Sequence, residues 1–446
     1  MCKNIKFIIS SKALNTSLTT HGSLESIIFA ENKPMPVEIT APVGSFESLV
    51  SALKNGADSV YFGIGNLNMR SGSAVNFTED DLQKIVKLCR EYNAKAYLAL
   101  NVVIFDDEID AVNTILIKAK EAGVDAIIAT DISVLNKARK LGHTVHMSTQ
   151  SNITNHEAIE FFAQWADVVV LSREMTLEKV KNLNELIQKK NICGPSGKII
   201  KTEVFAHGAL CMAISGKCYL SLDNMNSSAN RGACTQICRR PYKVTDLDGG
   251  IELEVDNEYI MSPKDLATLS FLDKLIDSGV SILKIEGRGR PAEYVGTVIR
   301  VYKEAVKSVE ENSFTEEKVT HWMEEVAKVY NRGFWEGYYL GQSTGEWSKR
   351  HGSSATKTKE YIGRITNYFS NIGVAEAKAE TGDVYPGEEY LITGPTTGII
   401  EGHFEEIQID HNAQQKAGKG QLFAFKVNEL TRRGDKLYRR VETNRE

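Results

Sequence analysis

The 446-residue chain lacks both a long hydrophobic run and a strong excess of charge. No stretch approaches the roughly 18 consecutive apolar residues that a membrane-spanning helix needs, so no membrane association is predicted. The net charge of -5 at pH 7 gives no globally basic surface. An RNA partner would therefore have to bind through a local basic patch, and no DNA binding is expected.

Motifs of well-known hydrolases are missing as well. The chain has no H-E-x-x-H zinc-protease motif and no G-x-S-x-G nucleophile elbow. A proteolytic activity would need a different arrangement, for which Glu203, His207 and Glu286 are the candidate acid–base residues.

Cysteine is scarce outside one stretch. Cys2, Cys89 and Cys193 are scattered, and the other four of the seven cysteines fall between Glu203 and Arg240. An odd total with one tight cluster fits a reducing compartment and metal binding better than a disulfide framework. We therefore expect a cytoplasmic protein. Cys89 is expected to be a core residue because it lies on the apolar side of a helical pattern.

The first 34 residues lack a clear periodicity. Their longest apolar run is too short for a secretory signal, and they contain no arginine, which counts against an organellar transit peptide. We expect residues 1–34 to be disordered and the compact part to begin near Met35, which is an alternative start of the protein.

From Val37 onward, β-rich runs alternate with amphipathic helical patterns. The eight runs are residues 37–41, 59–63, 95–105, 125–130, 144–149, 167–172, 202–208 and 281–287. They are almost continuously apolar, as parallel strands covered on both faces are. Eight such units over about 250 residues match the usual size of a TIM barrel. We predict an α/β fold with a TIM-like (β/α)8 barrel over residues 35–345; an open doubly wound sheet is the alternative.

Polar side chains follow nearly every predicted strand, at the end where TIM barrels carry their chemistry. A rim with several arginines suits an anionic substrate, because a guanidinium binds carboxylate or phosphate through two parallel hydrogen bonds. The candidate substrate-binding residues are Arg70, Asn101, Gln150, Asn152 and Arg288. The candidate catalytic residues are Glu203, His207, Glu286 and Arg173.

The four clustered cysteines are Cys211, Cys218, Cys234 and Cys238, with a C-x6-C pair, a spacer rich in Asn, Ser and Gly, and a C-x3-C pair. Structural zinc usually takes C-x2–4-C pairs, which the first pair fits poorly. A 4Fe–4S cluster tolerates irregular spacing, and the spacing favours it. A disulfide pair, and a nucleophilic Cys211 with His207 as its base, are further alternatives. The spacer at 223–232 is a candidate lid over the site.

Two further segments have recognisable patterns. Residues 241–265 read as a hairpin turning at Asp248–Gly250, followed by a helix that starts with Ser262 as its N-cap. Residues 346–446 read as a linker and a small all-β barrel domain of short alternating strands. Its end is basic through Arg432, Arg433, Lys436, Arg439 and Arg440. That patch is either a solvated face or a contact to RNA.

Three stretches resemble the collagenase-like peptidase family: EVFAHGALCMAISGKCYLS at the cysteine segment, ITAPVGSFESLVSALKNGADSVYFG near the first strands, and ILKIEGR at the last. The resemblance covers about residues 36–345 and is strongest to the branch that hydroxylates tRNA uridine.

The resemblance implies oxygen-independent formation of 5-hydroxyuridine at the tRNA wobble position, with prephenate as the implied source of the hydroxyl group. It also implies a 4Fe–4S cluster on Cys211, Cys218, Cys234 and Cys238. The expected partners are tRNA and a small carboxylate donor. Peptidase activity, and a non-catalytic RNA-binding module built on structural zinc, are the competing hypotheses.

Overall fold

The computed structural model of the chain describes residues 36–72, 76–243, 259–342 and 345–443. The predictions made for residues 1–34 and for the hairpin at Asp248–Gly250 lie outside these ranges. Within them, none of the helices has both the length and the apolar character needed to cross a bilayer.

Eight parallel strands close into a barrel, which confirms the predicted TIM-like fold. Its first seven strands are β1 (Glu38–Pro42), β2 (Ser59–Phe62), β3 (Lys95–Leu100), β4 (Ala126–Ala129), β5 (Val145–Met147), β6 (Val168–Val170) and β7 (Lys201–Ala209). Each pairs with the next in sequence. The eighth is β9 (Ile282–Ile285), which pairs in parallel with both β7 and β1 and so closes the barrel.

Helices cover the outside of the barrel. They are α1 (Phe46–Lys54), α2 (Leu82–Glu91), α3 (Ile109–Ala122), α4 (Ile132–Lys140), α5 (His156–Phe162), α6 (Leu177–Lys190), α7 (Leu220–Met225), α8 (Leu272–Asp277), α9 (Ala292–Glu310) and α10 (Glu316–Ala327). Gly123 ends α3 in a left-handed conformation (φ 79°), which a residue with a Cβ adopts at a cost. Cys89 is fully buried on α2, as predicted.

The predicted helix start at Ser262 is wrong. The chain instead forms a short strand, β8 (Asp265–Ala267), which runs antiparallel to the end of β7 and pairs with β10 (Phe334–Trp335). Helix α8 begins only at Leu272. The reason is tertiary: the backbone of this segment finds its hydrogen bonds on β7 and β10, and local capping preference is too weak to compete.

The C-terminal region is an antiparallel all-β domain. Its strands are β11 (Lys357–Phe369), β12 (Val374–Ala379), β13 (Glu389–Gly394), β14 (Gly398–His403), β15 (Ile407–Ile409), β16 (Asn412–Gln414), β17 (Leu422–Lys426) and β18 (Lys436–Glu442). They form one sheet in the order β14-β13-β18-β11-β12-β17-β15-β16, with Phe404, Phe423 and Phe425 in its core. An ion pair between Lys359 and Glu293 (2.7 Å) joins this domain to α9 of the barrel.

Candidate active site

A cavity opens at the carboxyl ends of the barrel strands and extends between them. Its floor comes from inward-facing strand residues such as Tyr61, Ile128, Val170 and Phe205. Its wall is the segment that follows β7, from Leu210 to Arg239. Of the candidate residues named from the sequence, those that line it are Arg70, Asn101, Gln150, Arg173, Cys211, Cys218, Cys234, Cys238, Glu286 and Arg288.

The four clustered cysteines all lie on this wall. Strand β7 ends at Ala209, so Cys211 stands two residues beyond the barrel and is exposed, whereas Cys218, Cys234 and Cys238 are half-buried. All four are free thiols. Ser221, on α7, contacts the Cys234 sulfur at 3.8 Å. The spacer read as a candidate lid is partly helical and forms part of the same wall.

The thiols fit an iron–sulfur cluster in their chemistry, since four free sulfur donors face one cavity. Burial raises the pKa of Cys238, and the neighbouring Arg239 guanidinium opposes that rise. In the described ranges, however, no three Cys, His, Asp or Glu side chains stand together as a ready-made metal site.

Glu203 does not line the cavity but forms a buried ion pair with Lys284, which does. Its carboxylate is fully buried and accepts a hydrogen bond from Lys284 Nζ at 2.5 Å. His146 Nδ1 lies 3.6 Å from the other carboxylate oxygen, too far for a hydrogen bond, and neither of these two atoms has another partner. Burial acts to raise the pKa of Glu203, but Lys284 and His146 together outweigh it, and the pKa falls below its ordinary value.

An irregularity in β7 decides where His207 points. The pairing of β7 with β9 shifts by one residue between Phe205 and His207. Phe205 faces the cavity, but His207 lies instead among Tyr294, Tyr302 and Phe334. Burial lowers the pKa of His207 to about 3, so its ring is neutral near pH 7. The geometry gives the predicted catalytic His207 no access to the cavity.

Glu286 and Arg70 form a second ion pair at the cavity. Both Nε and Nη2 of Arg70 donate to Glu286 Oε1, at 3.1 and 2.5 Å. Burial acts to raise the pKa of Glu286, and the charges of Arg70, Arg173 and Arg290 outweigh it and lower the pKa to about 2. Glu286 is therefore a carboxylate near neutral pH and holds no proton to give to a substrate.

Arg288 and Arg173 follow barrel strands, line the cavity and lack a carboxylate partner in the described ranges, as does Arg239 on the cavity wall. Arg288 is buried and donates to Asn68 Oδ1 at 3.0 Å. Arg173 donates to the Ala209 carbonyl at 2.9 Å, stacks over the Phe205 ring, and has a buried Nε without a partner. Burial lowers the pKa of Arg288 to about 10, which leaves it charged at neutral pH. Two unneutralised guanidinium groups favour an anionic ligand.

Two of the three candidate amide side chains, Asn101 and Gln150, line the cavity, and the third, Asn152, does not. Asn101 links two segments, since its Oδ1 accepts from the Met69 amide at 3.2 Å and its Nδ2 donates to Ser148 Oγ at 3.2 Å. Gln150 lines the cavity beside Gly216. Asn152 is outside it, in a left-handed conformation with its Oδ1 accepting from Ser172 at 3.0 Å. Asn152 is thus a turn residue in this structure.

Sequence reasoning assigned no role to Lys284, Tyr61 and Phe205, which all line the cavity. Lys284 Nζ lies 4.3 Å from the centre of the Tyr61 ring, so these residues also contact one another. The signal available was residue alternation: Lys284 lies on β9 and Glu286 directly follows the end of that strand, two residues further on, so both are expected to face the same side.

A model for Peptidase family U32 matches residues 44–349 of the chain. The chain belongs to this family. The family resemblance read from the sequence is thereby confirmed, and the match spans the barrel from α1 onward, the cysteine segment and the ion pairs of the cavity.

Several relatives of the chain carry different names. A collagenase from Porphyromonas gingivalis is 53% identical over 402 residues, which are 90% of this chain and 97% of that protein. A tRNA hydroxylation protein from Bacillus subtilis is 32% identical over 74% of this chain and 77% of its own length. An Escherichia coli synthase of 5-hydroxycytidine in 23S rRNA is 30% identical over 61% of this chain and 40% of its own length.

Proposed function

We propose that this protein is an RNA-hydroxylating enzyme that converts the wobble uridine of tRNA to 5-hydroxyuridine without molecular oxygen. The observation that carries the proposal is one cavity with four free thiols on its wall and two arginines at strand ends, Arg173 and Arg288, that lack a carboxylate partner in the described ranges. The names of the Bacillus subtilis and Escherichia coli relatives support RNA hydroxylation as the class of reaction.

The arginines would bind the carboxylate co-substrate, for which we propose prephenate. Arg173 and Arg288 come from different strand ends and face one cavity, so they can hold the two carboxylates of one small molecule. Arg70 is less suited to this role because Glu286 already neutralises it.

The uridine would enter the cavity after leaving its base stack. Tyr219 stands on the cysteine segment just before α7 and is 77% exposed, so its ring is free to stack on a base. Tyr242 is less suited, because its hydroxyl is bound to the Ile237 carbonyl at 2.6 Å. The cavity floor of Ile128, Val170 and Phe205 offers the apolar surface that excludes water from the base.

Cys211, Cys218, Cys234 and Cys238 would hold the 4Fe–4S cluster. Replacing the C5 hydrogen of uridine by a hydroxyl removes two electrons from the base. The carboxylate co-substrate would give up its hydroxyl group, take up the displaced hydrogen and be reduced by the same two electrons, and the cluster would supply the redox chemistry for this exchange. The chain's own residues bind the anion, stack the base and keep Glu203 and Glu286 ionised beside their cations.

A peptidase is the second candidate, because the Porphyromonas gingivalis relative is called a collagenase. The cavity geometry supports it less. Glu203 and Glu286 are held as carboxylates by Lys284 and Arg70, and His207 faces away from the cavity. That arrangement leaves none of the three proposed acid–base residues poised to exchange a proton near pH 7.

Anaerobic purification followed by iron and sulfide analysis tests the cluster. We expect about four irons per chain, the content of one 4Fe–4S cluster. Iron should be lost in a Cys211→Ala, Cys218→Ala double variant and kept in Cys89→Ala, the matched control on α2. Stoichiometric zinc in the anaerobic protein would instead support a structural metal site.

Nucleoside mass spectrometry of tRNA from a deletion strain tests the reaction. Complementation with the native gene should restore 5-hydroxyuridine derivatives, and the double cysteine variant should not. Unchanged hydroxylation in the variant would refute the proposal. Gelatin cleavage by the purified protein, abolished in Glu286→Gln, would support the peptidase.

A further inference from the structure

A second, open pocket lies on the other side of the cysteine segment. We call it the arginine groove, and it is formed by Gly72, Cys234, Thr235, Gln236, Arg239, Arg240, Ser262, Tyr330, Arg332, Arg350, His351 and Gly352. Cys234, Gln236 and Arg239 line both the groove and the cavity. The two sites therefore share one wall, and an occupant of the groove lies next to an occupant of the cavity.

The groove carries four arginines, and the described residues that line it include no Asp or Glu. The carboxylate that contacts one of them is Asp265, 3.3 Å from Arg332 Nη1. Arg239 donates to the carbonyls of Leu210 and Pro263, which hold its guanidinium in place without neutralising it.

Two groove arginines, Arg240 and Arg350, extend into solvent. Both are exposed, and neither has a carboxylate partner within the described residues. Three of the four groove arginines, Arg239, Arg240 and Arg350, thus lack a carboxylate partner in the described ranges, in a chain whose net charge is -5. Concentrated positive charge in an open groove attracts a polyanion.

The basic end of the C-terminal domain offers a contrast. Arg439 pairs with Glu360 at 2.8 Å and Glu388 at 3.2 Å, and Arg440 pairs with Glu401. Much of the positive charge there is already neutralised. Arg432 and Arg433 remain exposed, but they lie at a turn between β17 and β18 and not in a groove.

We propose that the arginine groove binds a backbone phosphodiester of the RNA strand whose base enters the cavity. This inference rests on the proposed function, since it names the second contact of the same RNA. Two fixed guanidinium groups, Arg239 and Arg332, would orient the phosphate, and the two exposed ones would draw the strand in. Phosphate contacts position a nucleic acid without reading its sequence, so the groove would set which nucleotide reaches the cavity.

The test is a tRNA-binding titration at several salt concentrations with an Arg240→Glu, Arg350→Glu variant. We expect tRNA affinity to fall about tenfold or more, and the slope of log affinity against log salt to become shallower by about one or two. Iron content and the unfolding midpoint should match those of the native protein, because both side chains are exposed. Arg432→Glu, Arg433→Glu is the matched control, with the same charge change elsewhere.

Three results would overturn the inference: equal loss of tRNA affinity in the control, unchanged affinity in the groove variant, or no tRNA binding by the native protein. If the glutamates disturb folding, Arg240→Gln, Arg350→Gln should give the same loss in smaller measure. The proposed function is tested separately by nucleoside analysis. The groove variant could lose tRNA binding while the native protein forms no hydroxylated uridine. That result would support the groove as an RNA-binding site and refute only the proposed reaction.

Discussion

Replacing Lys284 with methionine should destabilise the barrel severely. The change removes the cation that lies 2.5 Å from the Glu203 carboxylate, which is fully buried. Removing one partner of a buried ion pair costs about 3–5 kcal/mol, because the other charge stays buried without compensation. His146, 3.6 Å from the second carboxylate oxygen, would offset part of the loss, so we expect the lower end of this range.

The destabilisation should depend on pH. In the native protein the pKa of Glu203 lies below the pKa of a glutamate in the unfolded chain. The ion pair therefore stabilises the fold at a pH above the unfolded-state pKa, and this stabilisation is lost as the pH falls through the folded-state pKa. In the variant, burial would raise the pKa of Glu203 instead. Protonated Glu203 carries no charge to bury. The difference in the free energy of unfolding between the native protein and the variant should therefore become smaller as the pH falls from 8 to 5.

Urea unfolding followed by tryptophan fluorescence measures this difference. All four tryptophans, at positions 165, 322, 335 and 347, precede the C-terminal strands and therefore report on the barrel. Lys190→Met is the matched control, because Lys190 pairs with Glu160 on the surface and should cost less than about 1 kcal/mol. Adding Glu203→Gln to Lys284→Met should recover part of the stability. A cost below about 1 kcal/mol, or no recovery, would refute the reasoning.

Three further outcomes are expected. Tyr219→Ala should weaken tRNA binding about tenfold through lost base stacking, while Tyr92→Ala, another exposed tyrosine, should not; equal effects would contradict the stacking role. Glu286→Gln should slow hydroxylation about 100-fold, because Arg70 loses the carboxylate that orients it. His207→Asn should change the hydroxylation rate of the folded enzyme less than tenfold and leave its pH profile unchanged, because His207 does not act as the general base. Loss of a general base would slow the reaction about 10²-fold or more, and His207 stays neutral above about pH 3.

The barrel was predictable because its pattern is simple and repeated. Nearly continuous apolar runs with helical patterns between them give parallel strands, and seven of the eight strands come in sequence order. The cavity followed from the same rule, since residues after the strands, such as Arg70, Asn101 and Cys211, meet at one end of any closed barrel.

The orientation of individual side chains was less predictable. Residues two apart on a strand normally face the same side, so Glu203, Phe205 and His207 should have pointed inward together. The shift in pairing after Phe205 breaks that alternation, and nothing local in the sequence marks it. The strand at Asp265–Ala267 was missed for a related reason, because its hydrogen-bond partners are distant in sequence.

The closure of the barrel by β9 has a consequence for the order of folding. Glu38 on β1 aligns with Ile282 on β9, so the last pairing of the barrel joins segments near its two ends. The same strand brings Lys284 to Glu203, and the following residues bring Glu286 and Arg288 to the cavity. Until it docks, an intermediate that already buries Glu203 would carry an uncompensated charge. The ion pair thus penalises half-closed barrels, and a chain that ends before residue 282 should fail to form this core.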